Sequence, residues 1–368
     1  MSRKRLLTGA TLALTGFALV AWTAPDRSLR STLSYGTPEF VSVGALAFGP
    51  ENILFIGDTR GAAVFAVDVA DEGRPARGPV NLEGVDRHIA HMLGTSPDQI
   101  TIHDLAVHPE SKNAYLSVSR GEGEAASPVL VRVTGGAEVQ LVDMEDVRFS
   151  KAEITNAPDA DAELWRRPAR TFTVTDLSYI DGQVYVAGLS NEEFASNLRR
   201  LPFPFNGEME ATSLEIYHVS HGQDETNAPV ETFAAVTVGG KPSLLAAYTC
   251  TPLVQFDVAN LKDGAHVVGK TVAELGAGNR PLDIVEVEWE GRKSILIANS
   301  RHPLMKMDVG DVQSAKQLVN PSRERGARFE NLSAPGIKQL ADLNDEYILA
   351  IQQNGESIDL VSLAKASL

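Results

Sequence analysis

Apolar and polar positions along this chain follow a pattern that recurs six times: an apolar run, a tight polar turn, a second apolar run, a variable loop and a third run. The triplets fall at 45–48, 53–57 and 64–69; at 104–107, 114–118 and 129–133; and at 176–179, 184–188 and 214–219. They continue at 233–236, 244–248 and 253–258; at 283–287, 295–298 and 304–309; and at 339–343, 347–351 and 358–363. Thr171-Phe172-Thr173-Val174 alternates with the period of two of a half-buried strand, and unbroken runs such as Ile53-Leu54-Phe55-Ile56 suit strands covered on both faces. Asp181-Gly182 and Asn344-Asp345-Glu346 supply the residue types that tight turns require. A unit of about 50 residues built from short strands cannot bury both faces of its sheet until its neighbours stack on it, which is the logic of a β-propeller. The pattern therefore predicts an all-β fold, a β-propeller of six blades, or seven if 146–169 hides another, with short helical insertions on one face.

Loops that precede a first strand and loops that follow a second strand emerge at the same end of such a ring. The long segments 70–99, 120–128, 146–168 and 191–212 are assigned to that end, where a binding site carried on a rigid scaffold is expected. Within them 85–93, 158–167 and 191–201 are predicted to be helical, the last ending at Pro202-Phe203-Pro204-Phe205, whose phenylalanines are expected to pack onto the ring. Residues 32–35 are expected to close the ring as the outer strand of the last blade. The pairs His88-x-x-His91 and His218-x-x-His221 each have the spacing of half a metal site, but the first lacks a third ligand nearby in sequence and the second straddles the end of a strand in the third repeat, so both read as structural or solvated. His108, in a tight turn at the plain end, reads as solvated.

Residues 1–24 change the picture of where the ring works. Arg3-Lys4-Arg5 precedes an uncharged apolar run over 6–24, the arrangement of a signal peptide, with an uncleaved N-terminal anchor as the alternative. A single propeller domain then spans 25–368, and the expected location is periplasmic or secreted. Without the three leader cations, 30 basic residues face 48 acidic ones, a net charge of −18. Such a surface repels phosphate backbones and anionic lipid, which excludes nucleic acid as a partner and argues against stable membrane insertion unless the N-terminal segment is uncleaved. A small molecule or a protein on the loop-rich face fits better. Cys250 is the only cysteine, so no intrachain disulfide is possible.

Candidate chemistry gathers at the loop-rich end. Asp104, Asp176 and Asp283 align at the starts of first strands through Leu105, Leu177 and Ile284, with Glu231 near the same place in the fourth repeat. First strands converge on the axis, so the three carboxylates, with Asn299, are candidate ligands of one divalent cation such as calcium. In the preferred alternative each bonds a neighbouring blade's backbone and holds the blades in register. Arg60, Arg120, Arg280 and Arg301, with His302, place cations on the same end, either pairing with the acid ring or holding a carboxylate or sulfate ligand. Cys250 and His302 fall on neighbouring loop tips, which allows an imidazole-activated thiol.

Gly57-Asp58-Thr59-Arg60, and Asp104-Leu105-Ala106-Val107-His108-Pro109 followed by Ala114-Tyr115-Leu116, resemble repeats of the propeller superfamily that includes NHL-repeat proteins and the regucalcin/gluconolactonase group. The resemblance covers the strand pattern of most of the mature chain. It implies one divalent cation on the axis, held by Glu, Asn and Asp, where this chain offers Asp104, Asp176, Asp283 and Asn299 but lacks the Glu-Gly-Pro opening of that group's first blade. The Gly- and Trp-containing blade repeat of quinoprotein dehydrogenases and the Cys-x-x-Cys-His haem motif are both missing, so neither PQQ nor haem is expected, and no nucleotide. Two functions are compatible with these residues. One is an exported propeller that binds a small molecule or protein on its loop-rich face. The other is a metal-dependent, lactonase-like hydrolase or lyase in which the cation polarises a carbonyl and Asp104 or Asp283 acts as base.

Overall fold

The computed structural model describes residues 28–75, 78–276, 278–321 and 326–368. The expected leader, residues 1–24, lies outside them. Among the described residues, six mainly antiparallel sheets stand around one axis as the blades of a propeller. Their first strands are Leu46–Phe48, Ile100–Val107, Asp176–Ile180, Val230–Val238, Pro281–Trp289 and Ile337–Asp342, numbered blades one to six in chain order. The apolar runs are explained by burial on both faces. In blade one Ile53 and Phe55 pack toward blade three, while Leu54 and Ile56 pack toward blade two, and all four are fully buried.

The blades do not follow chain order around the ring. Neighbouring first strands give the circular order one, three, four, five, six, two, so blade two sits between blades six and one. Core packing agrees: Leu105, Leu116 and Val118 share a cluster with Leu343, Leu349 and Ile351, while Ala106 and Tyr115 share one with Leu46 and Phe65. The chain achieves this by an excursion. After Ala63–Asp68 it crosses to blade six, where the Leu82 N–H donates to the Leu360 carbonyl (2.8 Å) and the Leu82 carbonyl accepts the Leu360 N–H in return (2.9 Å). The helix Val85–Met92 follows and packs on Ser357–Ala364, blade two is built, and Val147–Glu153 returns as the fourth strand of blade one. Both seams of blade two are thereby laced by chain that leads into or out of it.

That path corrects several expectations. Residues 32–35 do not close the last blade; Ser34–Gly36 pairs with Val147–Glu153 as a fifth strand of blade one, and the closing segment is the one around Leu82. No seventh blade occupies 146–169, because Val147–Glu153 belongs to blade one and only the two-residue strands Glu163–Leu164 and Arg167–Pro168 follow, where a helix was expected. The predicted helix over 191–201 is also overturned. Ser196–Pro202 is blade three's third strand, paired over seven residues with Gln183–Leu189, and Glu210–His218 is the fourth. Ladder pairing and the burial of Leu198 and Leu201 override the helical spacing of the segment. Phe203 and Phe205 do pack onto the ring, with centroids 4.9 and 6.2 Å from that of Phe55. His108 is fully buried rather than solvated: its Nδ1 accepts the N–H groups of Glu110 and Ser111, and its ring meets Phe48 edge-on. Its turn lies over the seam between blades one and two.

The same seam holds a buried carboxylate. Asp71 accepts Ser111 Oγ, Asn113 Nδ2 and Tyr115 OH at 2.8–2.9 Å, and its other oxygen takes the Gly73 N–H. Burial alone raises its pKa, but the bonds from Asn113, Gly73, Ser111 and Tyr115 outweigh that and hold it at about 2. A depressed folded pKa contributes stability above the unfolded value of 3.8 that is lost as pH falls toward 2. Asp71→Ala strands three buried donors and should cost about 3 kcal/mol in urea unfolding at pH 7. It should also flatten the acid limb of the stability curve between pH 4 and 2; an unchanged acid limb contradicts this account.

Candidate functional site

The starts of the first strands and the ends of the second strands enclose a cavity of about 540 Å³ on the axis. Its floor carries Asp104, Asp176 and Asp283, and its walls include Arg60, Arg167, Arg280, His103, Glu231 and Gln339. The circular order decides how the acids stand. Asp104, Asp176 and Asp283 come from blades two, three and five, which alternate around the ring with blades one, four and six. Each carboxylate accepts two backbone N–H groups. Asp104 Oδ1 takes its own neighbour Leu105 and Oδ2 takes Leu46 of blade one; Asp176 takes Leu177, and Phe233 of blade four; Asp283 takes Ile284, and Leu340 of blade six. The distances are all 2.6–2.8 Å. Thr232, at the aligned position in blade four, adds its hydroxyl to Asp176 Oδ2 at 2.8 Å.

Three acids this deep in one ring resist ionisation. Desolvation and then the charge of Asp176 push Asp104 up to about 8, against the pull of the Leu46 and Leu105 N–H groups. Desolvation raises Asp176 to about 6, and desolvation followed by Asp104 and Asp176 raises Asp283 well above the ordinary carboxylate value. They titrate as one set. Proton-holding carboxyls near neutral pH can donate or accept a proton, or exchange their protons for a cation.

Sequence reasoning missed His103. A β-bulge places it immediately before Asp104, and the bulge recurs before Thr232, Asp283 and Gln339. Its Nε2 meets Ser119 Oγ at 2.7 Å, its carbonyl accepts Gln339 Nε2 at 2.7 Å, and desolvation holds its pKa below the usual imidazole value. Glu231 occupies the bulge in blade four, where Thr249 Oγ1 donates to it. Neither bulge nor ring order leaves a periodic signal, so His103, Arg167 and Gln339 were invisible; adjacency to Asp104 was the one available hint for His103.

The walls are set by buried polar groups. Asp58 accepts the N–H groups of Val41, Ser42 and Gly61 at 2.8 Å, fixing the loop ahead of blade one. Arg199 is fully buried, binding Asn156 Oδ1, the Thr173 carbonyl and the Leu189 carbonyl, and so anchors the wall formed by 171–175. Gly188 has no room for a side chain there: a Cβ would stand 2.1 Å from the Thr173 oxygen.

The other candidates divide. Arg60 lines the cavity and reaches the Gly123 carbonyl, and Arg280 lines it from blade five. Arg120 is exposed at the end of its strand, and Arg301 is exposed beside Gly278, with neither among the lining residues. Asn299 is buried, donating to the Ile297 carbonyl and accepting from Asn279. His302 lies against Gly276, whereas Cys250 borders a second cavity with His218 and His221. His88 and His91 are exposed on the helix Val85–Met92.

The sequence matches no protein-family profile and no curated protein. It is similar to solved structures that include a mitotic checkpoint complex, with 11% identity over 98% of this chain and 100% of that one and a TM-score of 0.36. Another is the PQQ-bound aldose sugar dehydrogenase of Streptomyces coelicolor, 13% identical over 90% of this chain and 98% of that one, TM-score 0.35. A third is the dihydro-haem d1 dehydrogenase NirN, 13% identical over 88% of this chain and 54% of that one, TM-score 0.37. Likenesses of this strength carry no chemistry to the present chain.

The acid set makes a pH prediction. With folded pKa values raised above 3.8, the carboxyls are protonated in both states at low pH, and stability declines as pH rises until the folded acids ionise, at about 8 for Asp104. Between pH 5 and 8 the contribution of this set to unfolding free energy therefore falls. Asp104→Asn should reduce that slope whatever its effect on absolute stability, and a slope equal to wild type rules the account out.

Proposed function

We propose that this chain is an exported propeller that binds a small polar molecule in the axial cavity. The observation that carries the reading is the combination of an acid floor with Arg60 and Arg280 on the wall of one cavity of ligand size. Hydroxyl donors of a ligand suit the remaining lone pairs of the floor carboxylates, while the arginines suit a carboxylate. A hydroxylated acid satisfies both. Export rests on Arg3-Lys4-Arg5 and the apolar run behind it. The NHL-repeat and gluconolactonase-like resemblance is part of the same proposal and carries its alternative, a lactonase-like hydrolase or lyase with a divalent cation on the axis. Binding is favoured because every oxygen of the three aspartates already accepts a backbone N–H.

Gluconate and glucono-1,5-lactone, each with calcium and with chelator, separate the two. Gluconate at about one hundred times its Kd should stabilise the wild type by ~2.7 kcal/mol, and Arg280→Ala should abolish the shift. Calcium-dependent opening of the lactone, lost in Asp283→Asn, would transfer the assignment to the hydrolase. Absence of any shift with gluconate defeats the binding proposal for this ligand class.

A further inference from the structure

The long fourth strand of blade three, Glu210–His218, turns back into Gln223–Glu225 with the pairs His218↔Gln223 and Ile216↔Glu225. Side chains alternate along a strand, so His218, Gln223 and Glu225 project from one face of this hairpin. The turn between them is closed by the N–H groups of His221 and Gly222, both donating to the His218 carbonyl, with Gly222 in the left-handed region at φ 68°. It folds His221 back over His218, ring centroids 3.8 Å apart. Both imidazoles then point Nδ1 at one carboxylate: His218 at Glu225 Oε2 and His221 at Glu225 Oε1, each 2.6 Å away.

We infer that His218, His221 and Glu225 form a binding site for a divalent transition metal of the zinc class, with one coordination position open to the neighbouring cavity. Among the described residues this is the one group of three or more His, Cys, Asp or Glu side chains whose ligand atoms lie within 4.8 Å of one another. Tetrahedral zinc holds nitrogen and oxygen ligands at about 2.0–2.2 Å, which sets them roughly 3.3 Å apart, so small side-chain rotations convert the hydrogen-bonded cluster into a ligand set. The ion replaces the protons that join each Nδ1 to Glu225. Two histidines, one glutamate and a water form a donor set zinc adopts where it keeps an exchangeable position.

The surroundings supply what such a site needs. His218 is 1% exposed, and its Nε2 faces the Cys250 carbonyl at 3.4 Å, the outer contact that fixes a ligating imidazole with its other nitrogen toward the metal. Cys250 and Thr251 take left-handed backbone angles, φ 63° and 92°, which turn that carbonyl toward His218. On the open side lies a cavity of about 450 Å³ bordered by Leu164, Trp165, Asn227 and Thr249, with Trp165 56% exposed. Water or a small anion bound to the ion has room there.

Equilibrium dialysis of the chelator-treated full chain against zinc, and visible spectra with cobalt, test the assignment. One ion per chain is expected, with a tetrahedral cobalt spectrum. His221→Ala, at a side chain 46% exposed and so tolerant of change, and Glu225→Gln should each weaken zinc by more than about tenfold, while Cys250→Ser and Asp104→Asn leave it unchanged. Thermal melts confirm that each variant is folded. No bound zinc or cobalt in the wild type, or binding that survives both His221→Ala and Glu225→Gln, or binding lost only with Asp104→Asn, overturns the proposal.

Discussion

Six first strands bring six edges to the axis, and each edge presents an N–H with no partner in its own sheet: Leu46, Leu105, Leu177, Phe233, Ile284 and Leu340. A buried N–H left unpaired costs about 1–3 kcal/mol, so leaving all six would consume most of a typical domain's stability of roughly 5–15 kcal/mol. Three carboxylates with two oxygens apiece satisfy the six. Each takes one N–H from its own strand and one from the next, which converts a side chain into a clamp between blades. The cost is concentrated in the same place, because three acids sharing a desolvated ring raise one another's pKa.

This clamping works only in the circular order that the chain adopts. Were blades one, two and three consecutive, Asp104 would reach toward the Leu177 N–H that Asp176 already holds, and Leu46 would be left without a carboxylate. Placing blade two between blades six and one gives three pairs, two with one, three with four and five with six, each holding one aspartate. The remaining seams have no aspartate clamp and combine apolar packing, such as Phe55 against Phe203 between blades one and three, with single bonds such as Gln339 Nε2 to the His103 carbonyl between blades six and two. The segment around Leu82, bridged to blade six, and Val147–Glu153, paired within blade one, tie the blades on either side of blade two through the chain that enters and leaves it.

What sequence could reveal follows from these same interactions. Continuous apolar runs such as 53–56 and the recurring Asp-apolar starts are local, and they disclosed the strands, the six blades and the three acids. The circular order is a long-range fact: Leu82 meets Leu360 across most of the chain, and nothing near either residue announces it. Segment 191–201 misled because amphipathic spacing outside a sheet and inside one looks alike until the buried Arg199 and its three acceptors are known. His218 and His221 straddle a strand end, which hid them as a pair, and Glu225 lies four residues beyond His221. A hairpin, not a helix, brings it back.

The two clusters also differ in what their donors are free to do. On the axial floor every oxygen of the three aspartates is committed to the backbone, so a cation entering there must share oxygens with N–H groups that repel it and that hold the blades together. At the rim the Glu225 oxygens are committed to two imidazoles and to the Gln223 side-chain amide, none of them backbone, and imidazoles are ligands themselves once their protons leave. A proton-for-metal exchange at the rim therefore breaks no backbone bond, whereas one on the axis loosens the clamps of the ring. Hard oxygen chemistry and nitrogen chemistry are thus separated by fold position: the axial acids favour ligands that donate hydrogen bonds, and the hairpin favours an ion. Arg60 and Arg280 reinforce the division, since their charge in the axial wall disfavours a free dication and favours an anionic group beside the acid floor.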